Sequence, residues 1–207
     1  MPLNFLPQRI PANVAGTIGR TVGRTGITPN MISLFGFGGN LLAAYLVTRE
    51  ALLAAGIVYL VFSALDFVDG AVARATGLVS KFGAVFDAVL DRASEAIVLV
   101  ACTWYFADRG EQVQAAVAYA GLFGSIAVSY MRARAETNGL SMREGLFRRQ
   151  ERVLLLGLGL VFNGLTVVIW ALAVLSNVTA LQRFVLIRRG LRRLDGEVLP
   201  EKHSPSG

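Results

Sequence analysis

Six apolar stretches set the terms for this chain. They run over about 30–48, 51–75, 82–106, 113–136, 152–164 and 165–187. A helix needs roughly 20 predominantly apolar residues to cross the hydrocarbon core of a bilayer, and five of the six reach about that length. The fifth is short and meets the sixth at Asn163-Gly164. That dipeptide reads as a tight turn between two spans; a single long bent helix is the alternative. Glycines at 36, 38 and 39, and again at 157 and 159, suit the close backbone approach of membrane helices. Composition agrees: 54% of the 207 residues are hydrophobic and the mean hydropathy is +0.56, beyond the range of a soluble domain. The expected fold class is therefore an all-α integral membrane protein of six transmembrane helices. The single cysteine, Cys102, lies inside an apolar run and is expected to pack as a small hydrophobe. His203 falls in a polar tail. The first ten residues lack the apolar core of a secretory signal.

A net charge of +6 and a pI near 10.1 could suggest nucleic acid, but the placement of the charges argues against it. Seventeen of the twenty Lys and Arg residues fall in the N-terminal segment, the second and fourth connections and the C-terminal stretch. Arg49 and Arg109 fall on the other side, and Arg92 lies within a span. By the positive-inside rule both termini face the cytoplasm. Residues 8–25, with Arg20 and Arg24 among scattered apolar residues, read as an amphipathic helix lying on an anionic leaflet. The chain thus divides into an interfacial segment (1–25), a six-helix domain (26–190) and a polar cytoplasmic tail (191–207).

Against this background four carboxylates are out of place. Asp66 and Asp69 lie in the second span, Asp87 and Asp91 in the third. Each costs about 2.5–3.5 kcal/mol on insertion scales and is a functional residue by default. Spacings of i, i+3 and i, i+4 put each pair on one helix face, and a short link near 76–81 makes the two helices antiparallel neighbours. Four acids then converge near the cytoplasmic surface. Arg74, Lys81 and Arg92 are too few to neutralise them, whereas hard divalent cations with oxygen ligands would. Two such cations make a clamp for phosphoryl chemistry. A cation pathway would need carboxylates spread through the membrane rather than gathered at one face. Small residues, Gly70, Ala71, Ala73, Gly83, Ala84 and Ala88, alternate with the acids and leave room for a ligand.

The run Asp66-Phe-Val-Asp69-Gly70-Ala-Val-Ala73-Arg74, eight residues, then Gly83-Ala-Val-Phe-Asp87-Ala-Val-Leu-Asp91 resembles the signature of the CDP-alcohol phosphotransferase family. The resemblance implies a six-helix membrane homodimer with two Mg²⁺ or Mn²⁺ ions on Asp66, Asp69 and Asp87. It implies that Asp91 helps ligate them and takes the proton from an acceptor hydroxyl. The hydroxyl attacks the β-phosphorus of a CDP-alcohol and CMP leaves. Gly70, Ala73 and Gly83 would then make room for the cytidine and Arg74 would face a phosphate. Thr28-Pro29-Asn30 opens the first span as a helix start whose free N–H groups could meet a phosphate.

The acceptor side carries more cations than topology requires. Ser129-Tyr130-Met-Arg132-Ala-Arg134-Ala-Glu136, followed by Arg149-Gln-Glu151-Arg152, is similar to the pattern of actinobacterial phosphatidylinositol phosphate synthases. That similarity implies CDP-diacylglycerol as donor and inositol phosphate as acceptor, with Arg132, Arg149 and Arg183 as candidates for its phosphate. Guanidinium clusters suit such an anion. Glycerol phosphate as acceptor and a soluble CDP-inositol donor remain alternatives within the same reaction class. A divalent-cation transporter and a basic membrane-anchored binding protein are alternatives outside it.

Overall fold

The computed structural model describes residues 28–65, 72–73, 77–141, 145 and 147–198. The described residues form six helices: α1 (Pro29–Thr48), α2 (Leu52–Ser63), α3 (Lys81–Asp108), α4 (Gln112–Thr137), α5 (Arg149–Val161) and α6 (Leu165–Val198). Their bounds follow local chemistry. Thr28 is extended (φ −86°, ψ 154°) and its side-chain oxygen accepts from the Met31 N–H, with Pro29 in the first turn, as an N-cap and a preorganised first residue should. Ser80 caps α3 in the same way, its Oγ accepting from the Gly83 N–H at 2.9 Å. Glu151 closes the first turn of α5 by accepting from the Arg148 N–H at 2.8 Å. The expected interfacial segment, 8–25, lies outside the described residues, as does the tail beyond 198.

Four helices end in one motif. Glu50, Gly110, Gly139 and Asn163 have φ of 58°, 73°, 78° and 54°. The residue after each donates its N–H back five positions: Ala51 to Leu46, Glu111 to Phe106, Leu140 to Ala135 and Gly164 to Gly159, at 2.8–3.0 Å. These are Schellman closures, which satisfy helix-end carbonyls by a left-handed residue. Three of them make the three-residue links α1–α2, α3–α4 and α5–α6. The turn expected at Asn163-Gly164 is among them. At this end Arg109 donates to Glu50 (3.1 Å) and Glu111 (3.2 Å) and lies over the Tyr105 ring, tying two of the links together.

Each helix makes its main contacts with two others, in the closed order α1, α2, α5, α6, α4, α3. Small residues face inward. Ala43, Ala55, Ala101 and Ala118 are buried beside Tyr59, Phe106, Leu156 and Ile169, while Phe35, Leu53, Trp104, Phe123, Phe162 and Phe184 point out. Large apolar side chains facing out, with small residues where helices meet, is the pattern of a bundle packed in lipid, and the protein is a membrane protein. A Cβ on Gly39 would fall about 2 Å from the Phe62 ring, one on Gly56 within 3 Å of α5 backbone, and one on Gly157 against Leu60. Gly38 does not join this packing: it is exposed with open space around it.

By length and apolar content α1, α4 and α6 are long enough to cross a bilayer. α3 has the length at 28 residues, but it carries charged residues along its first half. α5 has 13 residues, about 20 Å at 1.5 Å per residue. In the second apolar stretch α2 runs to Ser63, and residues 72–73 are again helical.

Candidate active site

At the end of the ring opposite the Arg109 clasp, α3 presents Asp87, Asp91 and Glu95 at successive turns, so the three share one face. Two cavities open along it. The first, about 200 Å³, is lined by Pro29, Asn30 and Ser33 of α1, by Ala73, and by Ser80, Gly83 and Asp87. The start of α1 thus borders the same space as α3. Gly83 keeps that space open, because a Cβ there would stand 3.2 Å from Asn30 Oδ1 and 2.9 Å from Ser80 Oγ. Ala73, Gly83, Pro29, Asn30 and Asp87 therefore border one space, with Thr28 capping the helix beside them.

The second cavity is larger, about 770 Å³. It is lined by Asp91 and Arg92 of α3, Ser129 and Arg132 of α4, Arg148, Arg149 and Arg152 around the start of α5, and Arg183 of α6. All three candidate acceptor arginines reach it. Arg149 Nη1 lies 3.1 Å from Asp91 Oδ1. Arg132 Nε donates to Glu136 at 2.9 Å on the exposed rim. Arg183 is 4% exposed and donates from Nη1 to the Val128 carbonyl at 2.7 Å; its Nε has no hydrogen-bond partner among the described residues. Gly145 lies on it so closely that a Cβ there would come 2.8 Å from Nη2. Arg92 turns back and donates to the Ala88 carbonyl of its own helix.

Below these groups lies a buried ion pair absent from the sequence expectations. Arg152 Nε donates to Glu95 Oε1 at 2.6 Å and Nη2 to Oε2 at 2.9 Å, with 1% and 4% of the two side chains exposed. Arg152 stood in the quoted acceptor pattern without a role of its own, and Glu95 was not singled out. The signal was present: Glu95 is a further carboxylate within the third apolar stretch, four residues after Asp91. Arg148, immediately before that acceptor pattern, also lines the cavity.

Of the remaining candidates, Asp66, Asp69, Gly70 and Arg74 lie outside the described residues. Asp87 and Asp91 supply oxygen donors one turn apart on a single helix, a donor type that fits a hard divalent cation.

An acidic helix face running between a narrow cavity and an arginine-lined one is also where known proteins become informative. The sequence matches the CDP-alcohol phosphatidyltransferase family over residues 26–187. It is 39% identical to the archaetidylinositol phosphate synthase of Pyrococcus horikoshii over 167 residues, covering 80% of this chain and 86% of that one. It is 33% identical to the phosphatidylinositol phosphate synthase of Mycobacteroides abscessus over 193 residues, covering 89% and 88%. Among solved structures, the Mycobacterium tuberculosis phosphatidylinositol phosphate synthase with CDP-DAG bound superposes with a TM-score of 0.79 at 31% identity, covering 84% of this chain and 94% of that one. The same enzyme has been solved with manganese and citrate, with a TM-score of 0.76. Signature spacing, helical bundle and matched length agree, and the chain belongs to the CDP-alcohol phosphatidyltransferase family.

Proposed function

We propose that this protein transfers the phosphatidyl group of CDP-diacylglycerol to a hydroxyl of inositol phosphate, releasing CMP. The observation that carries this reading is the second cavity: Asp91 shares it with Arg132, Arg148, Arg149, Arg152 and Arg183. Such a cavity suits an acceptor that brings its own phosphate. The relatives named for phosphatidyl- and archaetidylinositol phosphate synthesis support the same acceptor class.

In the reaction Arg132, Arg149 and Arg183, with Arg148 beside them, hold the acceptor phosphate and aim a ring hydroxyl at the donor. Asp91 takes the hydroxyl proton as the new O–P bond forms and the P–O bond to CMP breaks. General-base assistance of this kind is worth about 10²–10⁴-fold. The narrow cavity between the start of α1 and Gly83 receives the nucleotide; Gly70 would leave room for the cytidine and Arg74 would meet a phosphate. Asp66, Asp69, Asp87 and Asp91 would hold two divalent cations, Mg²⁺ or Mn²⁺. When bound, these neutralise the pyrophosphate and stabilise the leaving phosphate. The manganese-bound relative supports a divalent metal.

The reading extends to placement. All six helices span the membrane, with residues 8–25 on the inner leaflet, both termini and both cavities cytoplasmic, and the chain paired as a homodimer in the plasma membrane. Distribution of Lys and Arg supports that orientation.

The deciding experiment is CMP release by purified protein in detergent with CDP-diacylglycerol and Mg²⁺, comparing inositol phosphate, glycerol phosphate, inositol and serine. Release that depends on inositol phosphate is expected. Release with a different acceptor keeps the aspartate chemistry and removes the acceptor assignment. Ion flux without CMP release would favour transport. Turnover with an archaeol-based donor in place of CDP-diacylglycerol would move the donor assignment toward the lipid named for the Pyrococcus relative.

A further inference from the structure

Among the described residues, two ion pairs cross the interior of the ring, and both join α3 to α5. The outer one, Arg149 to Asp91, lies within the arginine-lined cavity. The inner one, Arg152 to Glu95, lies one turn deeper and is almost wholly shielded from solvent. In the closed helix order α3 and α5 stand opposite one another rather than side by side, so the inner pair braces the bundle across its middle. Ser125 on α4 lies beside the Glu95 carboxylate.

As a mere brace this is a poor choice, because burying two charges costs desolvation that apolar packing avoids. What an ion pair adds is direction. Two parallel N–H···O bonds fix the plane of the guanidinium. Its remaining nitrogen, Nη1, donates to the Phe147 carbonyl at 3.4 Å. Phe147 immediately precedes Arg148 and Arg149, and the Arg148 N–H is itself held by Glu151. A continuous set of contacts therefore runs from Glu95 through Arg152 to the backbone that presents the cavity's cations.

We propose that Glu95 is a positioning residue for acceptor binding: by locking Arg152 it sets the register of the first turn of α5, and so the placement of Arg148 and Arg149 around the acceptor phosphate. This rests on the proposed phosphate-bearing acceptor. It assigns Glu95 no contact with either substrate.

The test is equilibrium binding of inositol phosphate to the full-length protein in detergent, by titration calorimetry, together with KM for each substrate. The proteins are wild type, Glu95→Gln, Arg152→Gln and the double variant. Glu95→Gln is expected to raise the acceptor Kd and KM about tenfold, the equivalent of one charge-assisted contact, with the CDP-diacylglycerol KM within about twofold. In the Arg152→Gln background the same change should add little, because Glu95 acts through Arg152. An acceptor Kd unchanged by Glu95→Gln, an equal rise in both KM values, or full additivity with Arg152→Gln would overturn the proposal. Should the single variant fail to fold, the double variant leaves no unpaired buried charge. A raised acceptor Kd with the donor KM retained supports the proposal there, and an unchanged Kd refutes it. Wild type separates the two levels of inference. If it binds glycerol phosphate and not inositol phosphate, the acceptor assignment falls and the Glu95 comparison is read with glycerol phosphate. If it binds neither of these nor inorganic phosphate, both readings fall.

Discussion

Gly83→Ala is the substitution that most directly probes how the narrow cavity works. Gly83 is the third residue of α3, and its N–H is already held by the Ser80 cap at 2.9 Å. Its helix needs no glycine; alanine there should gain up to about 1 kcal/mol of helix propensity. The added Cβ would stand 3.2 Å from Asn30 Oδ1 and 2.9 Å from Ser80 Oγ. Both neighbours are ends of side chains, so they can yield by a few tenths of an ångström without unfolding the turn. In a cavity of about 200 Å³, a methyl group and a displaced Asn30 take space that a nucleotide would need. Overfilling a packed site costs about 1–3 kcal/mol, and here that cost falls on the donor complex. At 1.4 kcal/mol per tenfold, the KM for CDP-diacylglycerol should rise between about fivefold and about a hundredfold. The acceptor KM and the thermal midpoint should stay near wild type. Steady-state CMP release with each substrate varied in turn reads the split, and a fluorescence melt in detergent reads the fold. An unchanged donor KM in a well-folded variant would show that the donor does not use this cavity. A lowered midpoint would show that the neighbours cannot move as argued.

Asp91→Asn should cut CMP release by at least about 10²-fold, the lower range for a general base, while gel filtration and melting stay unchanged; substantial residual turnover would remove Asp91 from that role. Dialysis against EDTA should abolish release, and Mg²⁺ or Mn²⁺ should restore it; full activity after chelation would contradict the metal assignment. Gly39→Ala should lower the melting midpoint, since overpacking against the Phe62 ring costs about 1–3 kcal/mol, whereas Gly38→Ala should not, having open space. In a Cys102→Ala background, cysteines placed at Glu111 and Glu136 should label with an impermeant maleimide from opposite sides of the membrane; labelling from one side would defeat the six-span topology.

Helix bounds were legible because they follow from short-range chemistry. Thr28-Pro29, the apolar run to Thr48 and the Asn163-Gly164 break each carry their own signal, and α3 and α4 begin and end within two residues of the expected stretches. The meeting of Asp91 with Arg132, Arg149 and Arg183 was legible too, since charge is conspicuous in an apolar helix. Gly38 shows the limit: small residues favour contact, but which glycine faces a neighbour depends on the rotation of α1, fixed by Phe62 on another helix. Glu95 shows a second limit. Its spacing put it on the acidic face, yet its partner stands 57 residues away on an opposite helix. A cross-ring pairing of that kind has no local pattern, and it decides whether a carboxylate serves a ligand or a neighbouring guanidinium.

The three short Schellman links have a consequence for lipid traffic. With Arg49-Glu50-Ala51, Arg109-Gly110-Glu111 and Phe162-Asn163-Gly164 closing one end, each link is only three residues long, and both cavities open at the other end. On the proposed assignment of the two cavities, donor, acceptor and departing nucleotide therefore use the same end of the bundle. In the proposed orientation, a newly made lipid stays in the leaflet that supplied its donor.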